Sequence, residues 1–360
     1  MFAYIVVLLF VMLCVYFAEA YPPAARARNV LLAAALISMV TLAGVRNLTV
    51  GTDTENYVQF FEAITDLPSA LAMGIIDNEY GFWILNWAAH LIYDGYVSLL
   101  SLVAVIVCGC YMRSILNNSC NITISVFVFL TAGFYTFFFN GARQAIACAI
   151  CALAIPHLIN KKFKPYIFLI ITAVLFHKTA IVMLPVYFVT GAAISFSRVF
   201  VYALIGTISA LFLDTLVQFG ATVDPRYADY ATSGDGGGFL MVAFTLALTI
   251  FFFAFRRNVV LHREQYFVLL NMMMFGAIIS CISSVFRIAP SGILRLSIYF
   301  NVATLFLWPI VFVNFPKSFV RTIGVYFFGL GYTVFFLLSI DRFGDLSPYV
   351  VNPALALGLI

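Results

Sequence analysis

The chain has 360 residues, of which only 9% are charged and 64% are hydrophobic, with a mean hydropathy of +1.06. A soluble domain carries about 25% charged residues, and no globule of this length has an interior large enough to hide so much apolar surface, so the composition excludes a water-soluble protein. The formal net charge of +4, with no basic stripe, excludes nucleic-acid binding.

At about 20 residues per crossing, the apolar content predicts an all-α, polytopic integral membrane protein with about twelve transmembrane helices. The first twenty residues imitate a signal peptide and even end in Ala18-Glu19-Ala20. They lack a positive leading segment and their apolar run is long, so they read as a retained first helix. The expected spans are 2–19, 30–45, 96–112, 122–139, 144–160, 165–176, 179–196, 199–217, 239–255, 265–285, 296–314 and 322–340. Segment 79–93 is aromatic and only half apolar, which suits an interfacial or re-entrant piece better than a crossing. Residues 1–360 read as a single transmembrane domain with outer-face loops near 46–95 and 218–238.

Sidedness follows from Lys and Arg in short loops. With the N-terminus outside, 12 of the 19 basic residues fall on the cytoplasmic side, and Arg46, Arg143, Lys178, Arg226, Arg287, Arg295 and Arg342 fall outside. Of the 15 acids, only Glu19 and Glu264 fall inside. Acids contribute little to topology, so their segregation points to a polar working face on the outer side. The long loops lie on that side too, where function concentrates. The run Gly234-Asp235-Gly236-Gly237-Gly238 in one of them reads as a hinge or lid, since it does not sit between a strand and a helix as a phosphate loop would. The seven cysteines lie mostly in apolar runs, and Cys148 and Cys151, though spaced as C-x-x-C, read as small packing residues within a membrane helix. No metal set is expected.

Ionisable groups at membrane spans are costly and therefore functional candidates. In chain order the first cluster holds Arg46, Gly51, Thr52, Asp53 and Tyr57, with Asp53 or Thr52 at a helix start. Next come Asp77, Glu79, Tyr80, Gly81, Phe82 and Trp83, where a carboxylate beside aromatic rings suits a sugar: the acid binds hydroxyls and the rings cover apolar faces. An aromatic belt at the headgroups accounts for the same rings. Asn140-Gly141-Ala142-Arg143-Gln144 opens the fifth span, and its guanidinium fork matches a phosphate or carboxylate. Phe176-His177-Lys178-Thr179 forms the tip of a tight helical hairpin, where a neutral imidazole can serve as a base. Arg226 and Tyr230, then Arg287, then Arg295 and Tyr299 four residues apart, and Ser347-Pro348-Tyr349 complete the set.

Taken in order, Arg46…Gly51-Thr52-Asp53-Thr54…Tyr57, Glu79-x-Gly81-Phe82, Arg143-Gln144-x-x-Ala147, Phe176-His177-Lys178-Thr179-Ala180, Arg295-x-x-x-Tyr299 and Pro348-Tyr349 resemble the EpsG and Wzy-type polysaccharide polymerases. The resemblance implies a GT-C-like glycosyltransferase in the bacterial inner membrane, with its active face periplasmic. Such an O-antigen or exopolysaccharide polymerase moves a growing glycan from undecaprenyl diphosphate to the non-reducing end of another lipid-linked repeat unit. It implies no cofactor and no metal, the arginines neutralising the leaving diphosphate, and it leaves open a chain-length regulator as a partner. His177 is then the first choice of general base, with Asp53 and Glu79 as rivals. Arg46, Arg143, Arg287 and Arg295 would bind the diphosphate, and Tyr57, Trp83, Lys178, Arg226, Tyr230 and Tyr299 the sugars. The alternatives are a flippase for the same lipid-linked oligosaccharide, an O-antigen ligase, and a membrane acyltransferase.

Overall fold

The computed structural model describes residues 1–190, 239–285, 293–316 and 319–353. They form two compact units, one of residues 1–156, 164–181 and 316–360 and one of residues 157–163 and 182–315. The described elements are helical, and the only bridge of β type is an isolated antiparallel one between Arg46 and Val351.

The first unit begins with α1 (Phe2–Glu19) and α2 (Arg26–Gly44), which pack as a hairpin. Three shorter helices follow, α3 (Thr54–Ala63), α4 (Leu67–Asp77) and α5 (Tyr80–Ile92), and then the long α6 (Tyr96–Asn118). After α7 (Ile122–Thr131) and the single turn α8 (Phe134–Phe137) come α9 (Ala142–Ile159) and α10 (Phe163–Phe176). A 3-10 segment, Lys178–Met183, ends this stretch, and the one-turn helix that follows, α11 (Val186–Val189), belongs to the second unit. Of the later helices, Phe319–Arg342 belongs to the first unit.

Seven helices among the described residues are long and apolar enough to cross a membrane, and the bent pair Leu294–Asn301 and Thr304–Asn314, at 44°, makes an eighth if it counts as one span. The polytopic all-α expectation holds and the number twelve does not. Expected span 122–139 is broken by Gly133, whose φ of 89° lies in the left-handed region, leaving helices of 10 and 4 residues. Span 165–176 is a helix of 14 residues, about 21 Å at 1.5 Å per residue against a hydrocarbon core of about 30 Å. The described part of 179–196 is a 3-10 turn and one helical turn, with Pro185 between them. Span 199–217 and the glycine run at 234–238 lie outside the described residues.

Helix α9 is the core of the first unit. Its Ala145 to Ala149 run and Cys148, Cys151 and Ala152 are buried, and such small side chains let neighbouring backbones approach closely. At one such approach Ser114 Oγ of α6 donates to the Ala152 carbonyl at 2.7 Å. Both cysteines of the C-x-x-C are free. At the end of the unit where α1 stops, Glu19 accepts from the Ile122 and Thr123 N–H groups at 2.8 and 3.2 Å and from the Thr123 hydroxyl at 2.6 Å. It thereby satisfies the first-turn donors of α7 and places a negative charge on the positive end of that helix.

At the opposite end, the C-terminal tail closes over the chain that leaves α2. Asn47 N–H donates to Val350 O at 2.9 Å, Asn352 N–H to Val45 O at 2.8 Å, and Gly51 N–H to Asp345 O at 2.9 Å. The Asn140 amide joins both strands, accepting from Thr52 N–H at 2.8 Å and donating to Gly344 O at 3.0 Å. Gly344 has φ 73° and lies where a Cβ would overlap the Asn140 amide nitrogen. Carbonyls at the end of α2, which the helix leaves without partners, are taken by Arg46, which donates to Ala43 O, and by Tyr349, which donates to Leu42 O.

In the second unit, the helices Phe239–Phe255 and Arg263–Val285 pack together, and Tyr266 O–H donates to Phe252 O at 2.7 Å. Asn314 clamps the turn between them, its carbonyl oxygen accepting from the Val260 and Leu261 N–H groups at 2.8 Å each.

Gly344→Ala forces a side chain into a left-handed position and against Asn140, so it should cost about 1–3 kcal/mol. The readout is a lower melting temperature of the detergent-solubilised protein. Gly329→Ala, where a new Cβ meets nothing within 4 Å, should leave it unchanged or slightly higher.

Candidate active site

Glu79 caps the start of α5 and is fully buried, yet its carboxylate makes no capping bond to its own helix. Its two oxygens turn outward to other segments instead. Oε2 accepts from Arg143 Nη1 at 2.9 Å, and Oε1 meets His177 Nδ1 at 2.7 Å and the Lys178 N–H at 3.4 Å. Arg143 stands on the first turn of α9, and His177 follows the last residue of α10. Gly81 permits this approach: a Cβ there would come 3.0 Å from Leu175 O and 3.1 Å from the Phe176 ring.

Arg143 is held by more than charge. Its guanidinium lies over the rings of Phe60, Phe82 and Trp83 at 5.1, 4.8 and 5.0 Å. Phe82 and Trp83 follow Glu79 by three and four residues, so one face of α5 supplies the carboxylate and two of the three rings. An Arg gripped by a carboxylate and three π faces is fixed in place before any ligand arrives. Trp83 is only 1% exposed and forms the floor under Arg143, packed against Ile64 and Ala70.

Asp53 lies next to this group. Its Oδ2 accepts from Tyr57 O–H at 3.4 Å and its Oδ1 from the Thr52 hydroxyl at 3.2 Å. The Tyr57 oxygen accepts in turn from the Ala142 N–H at 2.8 Å, one residue before Arg143. Asp53 is the residue before α3, the expected helix-start position, but its side chain makes no capping bond.

Among the expected site residues, the structure thus brings together Asp53, Tyr57, Glu79, Trp83, Arg143, His177 and the Lys178 backbone. Arg46 adjoins them through Thr54, whose hydroxyl accepts from Arg46 Nε at 3.2 Å. Arg46 is buried, with its guanidinium over the Phe139 ring at 4.3 Å. Burial lowers it to about 10, offset in part by the nearby tyrosines, and it remains a cation at neutral pH. Arg295 and Tyr299 belong to the second unit, Arg295 on a 3-10 turn and Tyr299 buried on the following helix. Arg226, Tyr230 and Arg287 lie outside the described residues. His90 is occupied elsewhere, between Phe61 O at 2.8 Å and Asp94 at 2.7 Å.

Sequence reasoning missed Phe60 and Phe82 as walls for Arg143, and Asn140 as the junction between the Asp53 loop and the tail. Phe82 was legible in its three-residue spacing from Glu79. Phe60 and Asn140 carry no local signal, because their partners are far away in the chain.

The electrostatics divide the labour. Burial alone would raise Glu79, but the His177 hydrogen bond and the charges of His177 and Arg143 outweigh it and hold the carboxyl down at about 2. A carboxylate so weakly basic is a poor acceptor of substrate protons near neutral pH. His177 is better placed. In its neutral form, with the Nδ1 proton directed at Glu79, Nε2 presents a lone pair, and the side chain is 22% exposed.

A carboxyl depressed on folding stabilises the fold fully above its ordinary value of about 4.3, and that contribution is lost as pH falls through about 2. The melting temperature should therefore show no Glu79-dependent change between about pH 7 and pH 5, and Glu79→Gln should flatten its decline in stronger acid. Glu79→Ala, which strands the Arg143 charge, should cost roughly 3–5 kcal/mol at neutral pH.

No curated protein and no solved structure matches the chain. The model of the EpsG family matches residues 29–351, through every segment that forms the site. The chain belongs to the EpsG family.

Proposed function

We propose that the protein is a polysaccharide repeat-unit polymerase, a GT-C-type glycosyltransferase of the bacterial inner membrane working on its periplasmic side. The donor is a growing glycan on undecaprenyl diphosphate. The acceptor is the non-reducing end of a second lipid-linked repeat unit. The observation that carries this reading is the convergence of Arg143, Glu79 and His177 from three separate segments, in a chain whose family is one of Wzy-type polymerases.

In this reading an acceptor hydroxyl attacks the anomeric carbon of the donor. Its proton passes to His177 Nε2, the new glycosidic C–O bond forms, and the bond from the anomeric carbon to the diphosphate oxygen breaks. Glu79 is a positioning residue: it fixes the His177 tautomer and stabilises the imidazolium as it forms. Arg143 faces the charge that develops on the departing diphosphate, with Arg287 and Arg295 as further cations for it. No metal is needed in this scheme, because the arginines supply the positive charge. Asp53 and Tyr57 hold sugar hydroxyls. Arg46, enclosed against the end of α2, supports the loop that carries Asp53. Lys178, Arg226, Tyr230 and Tyr299 remain candidates for sugar contacts, and a chain-length regulator for a partner.

Sidedness is supported by the excess of Lys and Arg in the opposite loops and by helix direction. Within the first unit, Arg46 follows α2, Arg143 opens α9 and His177 follows α10, each at the helix end opposite Glu19, and Glu79 meets Arg143 and His177 there.

Deletion of the gene should leave surface glycan with a single repeat unit. Loss of repeat units altogether marks a flippase or a ligase instead. His177→Ala should lower polymerisation about 10²–10⁴-fold and Arg143→Ala about 10²–10³-fold at normal expression. Arg143→Lys should not restore it, since an ammonium lacks the planar fork. Long-chain glycan at normal rate from either alanine variant removes that residue from the mechanism.

A further inference from the structure

Residues 46–95 join two membrane spans, α2 and α6, and are tethered at both ends to one face of the bilayer. Within them α4 and α5 pack on each other as a helical hairpin. Asn78, with φ 57°, turns the chain between them, and Gly74 lies so near Tyr80 that a Cβ would come 2.6 Å from its ring. At 1.5 Å per residue the two helices are about 16 and 20 Å long, too short to cross a core of about 30 Å.

The exposed surface of this hairpin is apolar. Leu67, Leu71, Ile75 and Ile76 of α4, and Leu91 and Ile92 of α5, stand open, Ile76 to 70% and Leu91 to 69%. The acids between residues 67 and 93 are Asp77, the last residue of α4, and Glu79, which is buried with its partners. The exposed acids stand just outside the hairpin, with Glu62 and Asp66 before it and Asp94 after it. Water is a poor neighbour for such a surface. Acids confined to the helix ends beside exposed leucines and isoleucines are the pattern of an element lying in the interface.

We propose that the α4–α5 hairpin is embedded in the leaflet on the site's side of the membrane, with acyl chains against its exposed leucines and isoleucines and its acidic base at headgroup level. Glu79 opens the second arm of this hairpin, so the Arg143–Glu79–His177 group stands at the lipid boundary. A lipid-borne substrate then reaches it sideways from the bilayer. This placement stands whether or not the chain is a polymerase.

Spin labels on single cysteines test it, in full-length protein with its native cysteines replaced, reconstituted in phosphatidylethanolamine–phosphatidylglycerol vesicles. At positions 76 and 91, collisions with oxygen should exceed those with a water-soluble nickel chelate several-fold. At positions 66 and 94 the order should reverse. Nickel relaxation at 76 equal to that at 66 places the hairpin in water and overturns the proposal. Spin–spin broadening at 76 also overturns it, by putting a second copy of the chain on that face. If the labelled proteins do not fold, the native Trp83 and Trp87, both on α5, serve instead in a Trp308→Phe chain: quenching by brominated lipid supports embedding, and quenching by aqueous iodide alone refutes it. The measurement needs no glycan, so its failure leaves the polymerase reading untouched, and the failure of that reading leaves this one standing.

Discussion

The site is organised by one buried carboxylate that cannot be left alone. Removing an ionised group from water costs several kcal/mol unless partners replace the lost solvation. Glu79 obtains them from Arg143 on one side and His177 on the other. Because those partners begin α9 and follow α10, satisfying a single side chain fixes where three segments meet. The same demand sets the aromatic surroundings. Phe60, Phe82 and Trp83 close around Arg143, excluding water that would otherwise weaken the ion pair. Stability and pre-organisation come here from the same contacts.

The pairing also separates two roles that residue type alone cannot. Glu79, Asp53 and His177 are each chemically able to accept a proton. Enclosure with two positive partners suppresses the basicity of Glu79, while His177 keeps one ring nitrogen uncommitted and partly exposed. A base needs access, and of this linked pair only the imidazole has it.

Much of this was readable in the chain. Periodicity-free apolar runs with short polar breaks were enough for a membrane protein built of helices, and the placement of Arg143 and His177 at helix ends followed from those breaks. The number of crossings was not readable, because hydropathy does not register a left-handed glycine such as Gly133 or a prolyl break such as Pro185. The partnership of Glu79 with His177 was not readable either, since 98 residues separate them and no local pattern encodes that approach. Trp83 illustrates a different limit. Its type and place suggested a sugar platform, but burial makes it the support of an arginine. Arg46 is a parallel case, a cation at the expected end of a span whose guanidinium closes a helix terminus.

The tail that lies across the loop after α2 has a consequence for how the molecule comes into being. Its hydrogen bonds join residues 45–52 to residues 344–352, so the end of the first hairpin opposite Glu19 is sealed only once residues 344–352 have been translated. Until then the carbonyls at the end of α2 lack their tyrosine and strand partners, and the loop bearing Asp53 is held from one side only. A chain halted within Phe319–Arg342 would therefore lack these bonds at the very end where the chemistry is proposed.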